Sequence, residues 1–382
     1  MNTKASASEP SRSVLVVCGE FPPRTGGIGT YAHEIARHLA ADGWRVGVAA
    51  VQDCPEAERR AFNAAASFKV ETLPWKGASR AVGALVRSGE FDVIVAADVH
   101  GLMWSWLPSR LARRPLVALG HGSEFVRGRG VSSLVKRLLY RTCTHVVFNS
   151  RFTMAQAQAR GFRARASSII HPAGGDAVAI QPGAAARLRE KFNLSGKRVL
   201  LTVGTVSRRK GQTAVIEAMP EVLRQVPEAC YLVVGREADS GEAARLVARL
   251  GLGEGVILAG ALGDAERAAA YDLAEFSILP SRNLPDEVEG FGIVVLEAGA
   301  CGRTTIGTAE TGVAEAIQDG VTGLLVPPDS PSAMAAAIVR LLQDQPLLTR
   351  LSGAARAHAA TQTWAGRARE WSVLLEGLRW RR

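Results

Sequence analysis

The chain of 382 residues has few cysteines and no long apolar run. Its five cysteines include no Cys-x-x-Cys pair, which argues against disulfides and a zinc site and favours a reducing compartment. No apolar run is long enough to span a bilayer, so we predict no transmembrane helix. Residues 1–13 are small and polar, which is not typical of a secretory signal. Together these absences predict a cytoplasmic protein.

Several catalytic motifs are also missing. There is no Asp-x-Asp pair to hold a divalent ion on a diphosphate, no Walker loop and no Ser/His/Asp arrangement, so we predict no metal and no cofactor. Gly27-x-Gly29-x-x-Ala32 fits a dinucleotide fingerprint, with Asp53 further on. However, the eight residues 19–26 separate it from the first predicted strand, and so long a loop argues against NAD or FAD binding.

Negative charge is scarce in the first half of the chain. Residues 1–180 hold 23 Lys and Arg against 13 Asp and Glu, whereas 181–382 hold 23 of each, so the net charge of +10 arises entirely in the first half. A one-sided basic surface favours an anionic partner such as a membrane surface, although a general bias towards Arg is the alternative. No nucleic-acid motif accompanies the charge, so we predict no nucleic-acid partner.

Short apolar segments alternate with helical segments, and the alternation occurs twice. The first series of predicted strands runs from Val14–Cys18 to Ser168–Ile170, and the second begins at Arg198–Val203. This pattern predicts an α/β protein with two doubly wound parallel sheets, whose ligands bind at the carboxyl ends of the strands. We place the domains at residues 14–180 and 181–361, joined by a Gly- and Pro-containing linker, with a C-terminal helix at about 362–382 packing back on the first domain.

The most informative segment is Glu287–Glu297, which reads EVEGFGIVVLE. Gly292 allows a tight turn, and an apolar helix starts at Ile293, so the amides of residues 291–293 suit a diphosphate. Glu297 lies about one turn further on, where its carboxylate can accept hydrogen bonds from two ribose hydroxyls. Glu289 precedes the helix and can reach hydroxyls of a transferred sugar. The alternative is a pair of solvated glutamates.

This segment resembles glycosyltransferase family 4, whose members are retaining enzymes of the GT-B fold. Glu289 and Glu297 match the family's two glutamates, separated by seven residues around a Glu-Gly-Phe-Gly turn. The resemblance covers residues 14–328. It implies two Rossmann-like domains facing each other across a cleft that binds a nucleoside-diphosphate sugar. It also implies transfer of a hexose, with retention, to a lipid-linked, polysaccharide or other glycan acceptor at the cytoplasmic membrane face.

A second match is the cationic loop Gly204–Gly211, which follows a predicted strand. Its adjacent cations can neutralise a diphosphate leaving group. The family carries an Arg directly after the first Gly, where this chain has Thr205, and a Lys that Lys210 matches. Some relatives place the Arg directly before the Lys, so we expect Arg209 to be the partner, with Arg208 as the alternative.

Strand ends in the first half also resemble family positions. The resemblance implies that the backbone amides of the glycine loop at residues 26–27 bind phosphates and help to bind the acceptor. It also implies that His121, which lies between two glycines, is close to the transferred sugar. Structural loop roles are the alternative. The predicted catalytic residues are His121, Lys210 and Glu289. The predicted donor-binding residues are Gly27, Arg208, Arg209, Lys210, Phe291, Gly292, Ile293 and Glu297. The predicted acceptor-side residues are Gly26, Tyr31, Asn149, Ser150 and His171.

Residues 104–141 combine apolar and basic side chains. Ser132–Arg141 has the pattern of an amphipathic basic helix, and Trp104 and Trp106 lie near further arginines. Such segments can lie on anionic lipid, so we predict a peripheral membrane contact here, the alternative being ordinary surface helices.

The identity of the donor stays open in the sequence. The segment from Phe21 and the loop Arg282–Glu289 look most like mannosyltransferases, which makes GDP-mannose the first choice. UDP-glucose and a UDP-N-acetylhexosamine are alternatives. An epimerase or phosphorylase of the same fold and a non-catalytic nucleotide-sugar-binding subunit are rival functions.

Overall fold

The computed structural model describes residues 12–23, 26–128, 130–176, 180–238 and 241–379. The chain divides into two compact units. The first comprises Met1–Asn149, Met154–His171 and Trp364–Arg382, and the second comprises Ser150–Thr153 and Pro172–Thr363. The division therefore falls after His171 rather than at the predicted residue 180, and the C-terminal helix is part of the first unit.

The first unit contains a seven-stranded parallel sheet of order β3-β2-β1-β4-β5-β6-β7. The strands are β1 Ser13–Cys18, β2 Arg45–Ala50, β3 Lys69–Thr72, β4 Val93–Ala96, β5 Leu116–Gly120, β6 His145–Phe148 and β7 Ser167–Ile169. The helices that follow these strands are α1 Gly27–Ala41, α2 Glu56–Ala65, α3 Ala78–Arg87, α4 Val99–Leu111, α5 Ser123–Val126, α6 Val131–Thr142 and α7 Arg151–Ala159.

Close packing of helices on both faces buries this sheet. β1, β4 and β5 are buried along their whole length, as expected for parallel strands covered on two faces. A Cβ on Gly101 would lie 2.1 Å from the Val17 carbonyl oxygen, so only glycine lets α4 pack this closely on β1. The order of the strands reverses direction between β1 and β4, which is the switch point of this sheet.

The second unit contains a six-stranded sheet of order β10-β9-β8-β11-β12-β13. The strands are β8 Arg198–Val203, β9 Ala229–Val234, β10 Val256–Gly260, β11 Phe276–Leu279, β12 Thr305–Thr308 and β13 Gly323–Val326. The helices are α8 Ala184–Lys191, α9 Gln212–Gln225, α10 Glu242–Arg249, α11 Asp264–Leu273, α12 Ile293–Ala300, α13 Pro331–Gln343 and α14 Gln345–Thr361, with a 3₁₀ turn at Gly312–Glu315. Its switch point lies between β8 and β11.

The prediction of two doubly wound parallel sheets is confirmed, and the differences lie mainly at the sheet edges. β3, β12 and β13 were not predicted as strands, and each lies at or near an edge. β3 is only half-buried, so it lacks the continuous apolar run that marks a central strand. The C-terminal helix, α15, spans Trp364–Arg379. None of the helices in the described ranges has the length and apolar character needed to cross a bilayer.

Candidate active site

The cationic loop between β8 and α9 is held from inside by a buried glutamine. Gln212 donates through Nε2 to the Thr205 carbonyl oxygen at 3.1 Å and accepts at Oε1 from the Ser207 amide at 3.3 Å. Gly211 caps α9 with φ 68°, and a Cβ there would lie 2.1 Å from the Pro280 carbonyl oxygen. The loop can therefore fold back against the end of β11 only with glycine at this position.

Arg282, which sequence reasoning did not assign to the site, fixes the same loop from the other side. Its amide donates to the Arg209 carbonyl oxygen at 2.8 Å, and its Nε donates to that of Arg208 at 2.6 Å. Its Nη1 donates to Asp329 Oδ1 at 2.7 Å. Arg282 thus joins the backbone of the two loop arginines to the segment that follows β13.

Two of the loop cations converge on one carboxylate. Lys210 Nζ lies 2.8 Å from Glu289 Oε2, and Arg209 Nη1 donates to the same oxygen. Ser281 Oγ lies 3.4 Å from it, and Arg209 Nε lies 3.9 Å from Glu287 Oε2. The second unit therefore brings three of the predicted site residues into direct contact around a carboxylate that is only 8% exposed.

The surroundings of Glu289 keep it ionised. Burial by itself raises the pKa of Glu289, but the Lys210 ammonium and the Arg209 guanidinium outweigh burial and lower the pKa to about 2. A carboxylate with so low a pKa is a weak base and a weak nucleophile. It can accept hydrogen bonds from cations and hydroxyls at every physiological pH.

The structure distinguishes the two loop arginines. Arg209 contacts Glu289 beside Lys210, whereas Arg208 and Thr205 are exposed. Geometry therefore favours Arg209 as the cation that acts together with Lys210.

The glycine turn before α12 places the start of that helix against β11. Gly292 has φ 92°, and a Cβ on it would lie 2.7 Å from Leu279 Cδ2. No side chain caps α12, which begins at Ile293, and Phe291 is buried beside it. The positive end of the helix dipole thus begins four residues after Glu289 in the sequence, and the turn between them requires glycine.

Glu297 is half-buried in α12 and has a partner that the sequence did not reveal. Tyr271 of α11 donates its hydroxyl hydrogen to Glu297 Oε2 at 2.9 Å. Tyr271 is almost fully buried, and burial raises its pKa well above the ordinary value, so it remains a donor. One carboxylate oxygen of Glu297 is therefore oriented by the protein.

In the first unit, His121 and Asn149 lie together at the carboxyl edge of the sheet. The His121 ring donates through Nε2 to the Ala97 carbonyl oxygen at 2.8 Å, and its amide donates to Glu124 Oε1 at 2.6 Å. Asn149 donates to the His121 carbonyl oxygen at 3.3 Å, and its buried Oδ1 has no hydrogen-bond partner. The histidine is thus held by the backbone at this edge.

The expected acceptor role of Tyr31 needs correction. Its side chain is 1% exposed, donates to the Ile170 carbonyl oxygen at 3.1 Å and accepts from Trp371 Nε1 at 2.9 Å. Both hydrogen-bonding functions are therefore used in the interior, where Tyr31 joins α1 to α15. Tyr31 follows a glycine loop in the sequence, but its side chain is packed as a core residue of the first unit.

The remaining acceptor-side predictions divide between structural and open positions. Ser150 is fully buried, and its Oγ accepts from the Thr153 amide at 2.9 Å, as in a helix cap. Gly26, together with Gly27 of the predicted donor-binding set, is exposed at the start of α1, where the Gly26 amide donates to Glu20. A phosphate bound to the Gly26 amide would have to displace the Glu20 carboxylate. His171 is half-buried after β7.

Two family models match the chain. The model described as "Glycosyl transferases group 1" matches residues 185–358, and "Glycosyltransferase Family 4" matches residues 25–173. No group of three His, Cys, Asp or Glu residues that could hold a metal ion occurs in the ranges that the structure describes.

Curated relatives match over nearly the whole length. A GDP-mannose-dependent alpha-(1-6)-phosphatidylinositol monomannoside mannosyltransferase of Mycolicibacterium smegmatis is 28% identical, over 93% of this chain and 96% of the relative. A GDP-mannose-dependent monoacylated alpha-(1-6)-phosphatidylinositol monomannoside mannosyltransferase of Corynebacterium glutamicum is 26% identical, over 96% and 97%. A D-inositol 3-phosphate glycosyltransferase of Segniliparus rotundus is 33% identical over 51% and 43%.

Solved structures share the fold. Anabaena Alr3699/HepE in complex with UDP-glucose superposes with a TM-score of 0.80 at 21% identity, over 96% of this chain and 99% of that chain. WaaG, a glycosyltransferase involved in lipopolysaccharide biosynthesis, superposes with a TM-score of 0.71 at 20% identity, over 95% and 100%. The two parallel sheets and the two matched models agree with the resemblance of the Glu289–Glu297 segment. The chain is a hexosyltransferase of the GT-B fold that uses a nucleotide sugar, and it belongs to the family 4 type of glycosyltransferases.

Proposed function

We propose that the chain transfers mannose from GDP-mannose, with retention of configuration and without a metal ion, to a lipid-linked or other glycan acceptor at the cytoplasmic membrane face. The full-length relatives named as GDP-mannose-dependent mannosyltransferases support the donor. The contact of Lys210 and Arg209 with Glu289 carries the chemical part of the proposal, because it gathers two cations beside the α12 turn.

The cation pair suits a diphosphate leaving group. Lys210 and Arg209 share one carboxylate charge with Glu289, so the three groups keep a net charge of +1 that a diphosphate can neutralise. The side chains of Lys210 and Arg209 are 13% and 25% exposed, and charge contacts in such a partly dry site are stronger than in water. Their positive charge supports a mechanism in which a metal ion is not needed to stabilise the departing phosphate.

The contacts of Glu289 bear on how configuration is retained. A covalent intermediate needs a carboxylate oxygen that is free to attack the sugar, whereas Oε2 of Glu289 contacts two cations and the hydroxyl of Ser281. We therefore favour attack on the same face as departure. The acceptor oxygen bonds to the anomeric carbon, the bond from that carbon to the β-phosphate oxygen breaks, and the hydroxyl proton passes to the departing phosphate.

Donor choice is tested by the melting temperature of the purified protein with GDP, GDP-mannose, UDP-glucose, UDP-N-acetylglucosamine or NAD, with and without EDTA. We expect GDP and GDP-mannose to raise the melting temperature in EDTA, since a ligand at about 100 times its dissociation constant adds about 2.7 kcal/mol. Glu297→Gln should weaken this response, and Glu221→Gln should not, because Glu221 is exposed on α9 and pairs with Arg224 on the same helix. If only the UDP sugars raise the melting temperature, the donor is a UDP sugar and not GDP-mannose. If only NAD raises it, the proposed nucleotide-sugar site is refuted.

Product analysis tests the reaction itself. Transfer requires an acceptor, whereas an epimerase would convert the donor without one. A non-catalytic subunit would bind the donor and leave it intact.

The membrane part of the proposal rests on the exposed faces of α4 and α6. Leu107 and Leu111 on α4 are 54% and 73% exposed, and Leu134 and Leu138 on α6 are 60% and 53% exposed. Arg110, Arg113 and Arg141 are exposed close by in sequence. By contrast, Lys136 donates to the Glu124 carbonyl oxygen at 2.5 Å, and Arg137 lies over the Phe162 ring. Lys136 and Arg137 thus make contacts within the protein, which leaves fewer basic side chains for a lipid surface than the sequence predicted.

Flotation with vesicles containing phosphatidylglycerol tests the membrane contact. We expect the unaltered protein to float and the double variant Leu134→Glu/Leu138→Glu to remain in the soluble fraction. Val373→Glu is the matched control, since Val373 is 72% exposed on α15. If all three proteins float equally, or if the unaltered protein does not float, the proposed membrane contact is refuted. The transferase assignment is not affected by either result.

A further inference from the structure

The switch point of the first sheet presents a group of residues that the site described above does not use. Gly19 follows β1 and Asp98 follows β4, and these are the two strands where the strand order reverses. Asp98 accepts from the Gly19 amide at 2.7 Å and from the Gly101 amide at 2.7 Å. Ligands of open α/β sheets bind at such a point, outside the carboxyl ends of the strands.

The missing side chain at Gly19 makes room for His100. A Cβ on Gly19 would lie 3.0 Å from both Cβ and Nδ1 of His100 and 3.1 Å from Asp98 Oδ2. The imidazole of His100 therefore lies against bare backbone at the switch point, and the residue is exposed to solvent.

Two tryptophans join His100 to form an aromatic corner. Trp75, from the loop after β3, has its ring centroid 5.1 Å from that of His100 and 5.5 Å from that of Trp104. The two indole planes are at 87°, whereas the rings of His100 and Trp104 are tilted by only 32°. The corner thus combines nearly perpendicular aromatic surfaces with imidazole nitrogens that can bond to a hydroxyl group.

The exposure of Trp75 is unusual within this protein. Its side chain is 57% exposed, and every other Trp, Phe or Tyr in the described ranges is at least partly buried. Trp104 packs partly against the core, which gives the corner a fixed wall, while Trp75 leaves apolar surface in contact with water. Covering such a surface with the apolar face of a ligand is favourable.

We propose that Trp75, His100 and Trp104 form an acceptor subsite that binds a six-membered polyhydroxylated ring, either a pyranose or a cyclitol, by stacking on its C–H face. The proposal rests on the proposed glycosyl-transfer function for the role of the ring as an acceptor. The C–H hydrogens of such a ring carry partial positive charge and match the negative face of an indole. His100, beside Asp98, supplies the polar contact that orients the ring hydroxyls.

Fluorine NMR of protein labelled with 5-fluorotryptophan tests this subsite without relying on turnover. The chain has seven tryptophans, and Trp75→Phe assigns the Trp75 resonance by its disappearance. We expect that resonance to shift saturably with methyl α-D-mannopyranoside or with myo-inositol, and the stronger of the two identifies the class of ring. D-mannitol, which has hydroxyls but no ring face, should produce no saturable shift.

Substitutions then separate stacking from general effects. Trp75→Ala should weaken binding of the ring, followed at the Trp104 resonance, by about tenfold, and Trp75→Phe should weaken it by less, because a smaller aromatic face remains. Val373→Ala, which truncates a still more exposed apolar side chain on α15, should change nothing. In the transfer reaction Trp75→Ala should raise the acceptor KM with little change in kcat.

The two proposals fail in different ways. If neither ring probe shifts the Trp75 resonance, or if mannitol shifts it equally, the subsite is refuted while the binding of GDP-mannose is unaffected. If the ring binds but no sugar is transferred from GDP-mannose, the subsite stands and the donor assignment falls.

Discussion

Replacing Glu289 by Gln measures how strongly the carboxylate is tied to the two loop cations. A pKa lowered from the ordinary 4.5 to about 2 corresponds to about 3 kcal/mol, at about 1.4 kcal/mol per pH unit. Glu289→Gln should therefore lower the free energy of unfolding of the second unit by about 3 kcal/mol at neutral pH without nucleotide. The two cations left behind remain partly exposed, so water limits any further cost.

The same contact predicts a pH dependence with a definite sign. The folded protein protonates Glu289 only near pH 2, whereas the unfolded chain does so near pH 4.5. The stabilisation is therefore complete above pH 4.5 and is lost as the pH falls from 4.5 towards 2. The difference in stability between the unaltered protein and Glu289→Gln should shrink over that window. The other carboxyl groups are present in both proteins, so their contribution cancels in this difference.

The assay must report on the second unit, because all tryptophans in the described residues belong to the first. Hydrogen exchange followed by mass spectrometry on peptides from β8 and α12 gives the local free energy of opening. Glu287→Gln is the matched control, since Glu287 is 33% exposed and 3.9 Å from Arg209 and should contribute under about 1 kcal/mol. Equal effects of the two substitutions would refute the reasoning.

Three further predictions concern single substitutions. Lys210→Ala should lower turnover by two to three orders of magnitude, about 3–4 kcal/mol of lost charge stabilisation, and Arg208→Ala should have a far smaller effect, as measured by release of GDP. Tyr271→Phe should weaken GDP binding about three- to tenfold in calorimetry, since the hydrogen bond that orients Glu297, the carboxylate that we propose binds the ribose, is lost. Tyr31→Phe should lower the melting temperature and leave the acceptor KM unchanged, because it strands the buried Trp371 N–H.

Most of the fold could be predicted from the sequence because central parallel strands are continuous apolar runs. β1, β4, β8 and β11 were predicted within about a residue, since burial on both faces leaves mostly apolar residues in them. β3, at the edge of its sheet, and β12, next to the edge strand of the other sheet, were missed because Lys69–Thr72 and Thr305–Thr308 carry polar side chains that a loop would also carry. Their place in the sheet depends on pairing with a neighbour that the local sequence does not show.

The candidate site divides in the same way. Lys210, Arg209 and Glu289 were found because each lies in a short segment whose glycines and charges are contiguous. Arg282 and Tyr271 were missed because each acts on a segment remote in sequence, Arg282 on the loop carbonyls and Tyr271 on Glu297. An isolated Arg after a strand and an isolated Tyr in a helix have ordinary structural uses, so composition gives no signal for either.

Tyr31 and Trp75 show that burial determines whether a side chain is available to bind a ligand, which a sequence motif can only indicate. Tyr31 follows a glycine loop that resembles a ligand-binding turn, yet the structure uses both hydrogen-bonding functions of its hydroxyl in the interior. Trp75 belongs to no motif, yet it carries the most exposed aromatic ring among the described residues and lies beside the switch point of its sheet. A side chain binds a ligand only through surface that the fold leaves uncovered, and that surface is set by contacts between segments far apart in the chain. For this reason the proposed acceptor subsite was derived from the fold, whereas most of the residues proposed for the donor side were predicted from two short segments of the sequence.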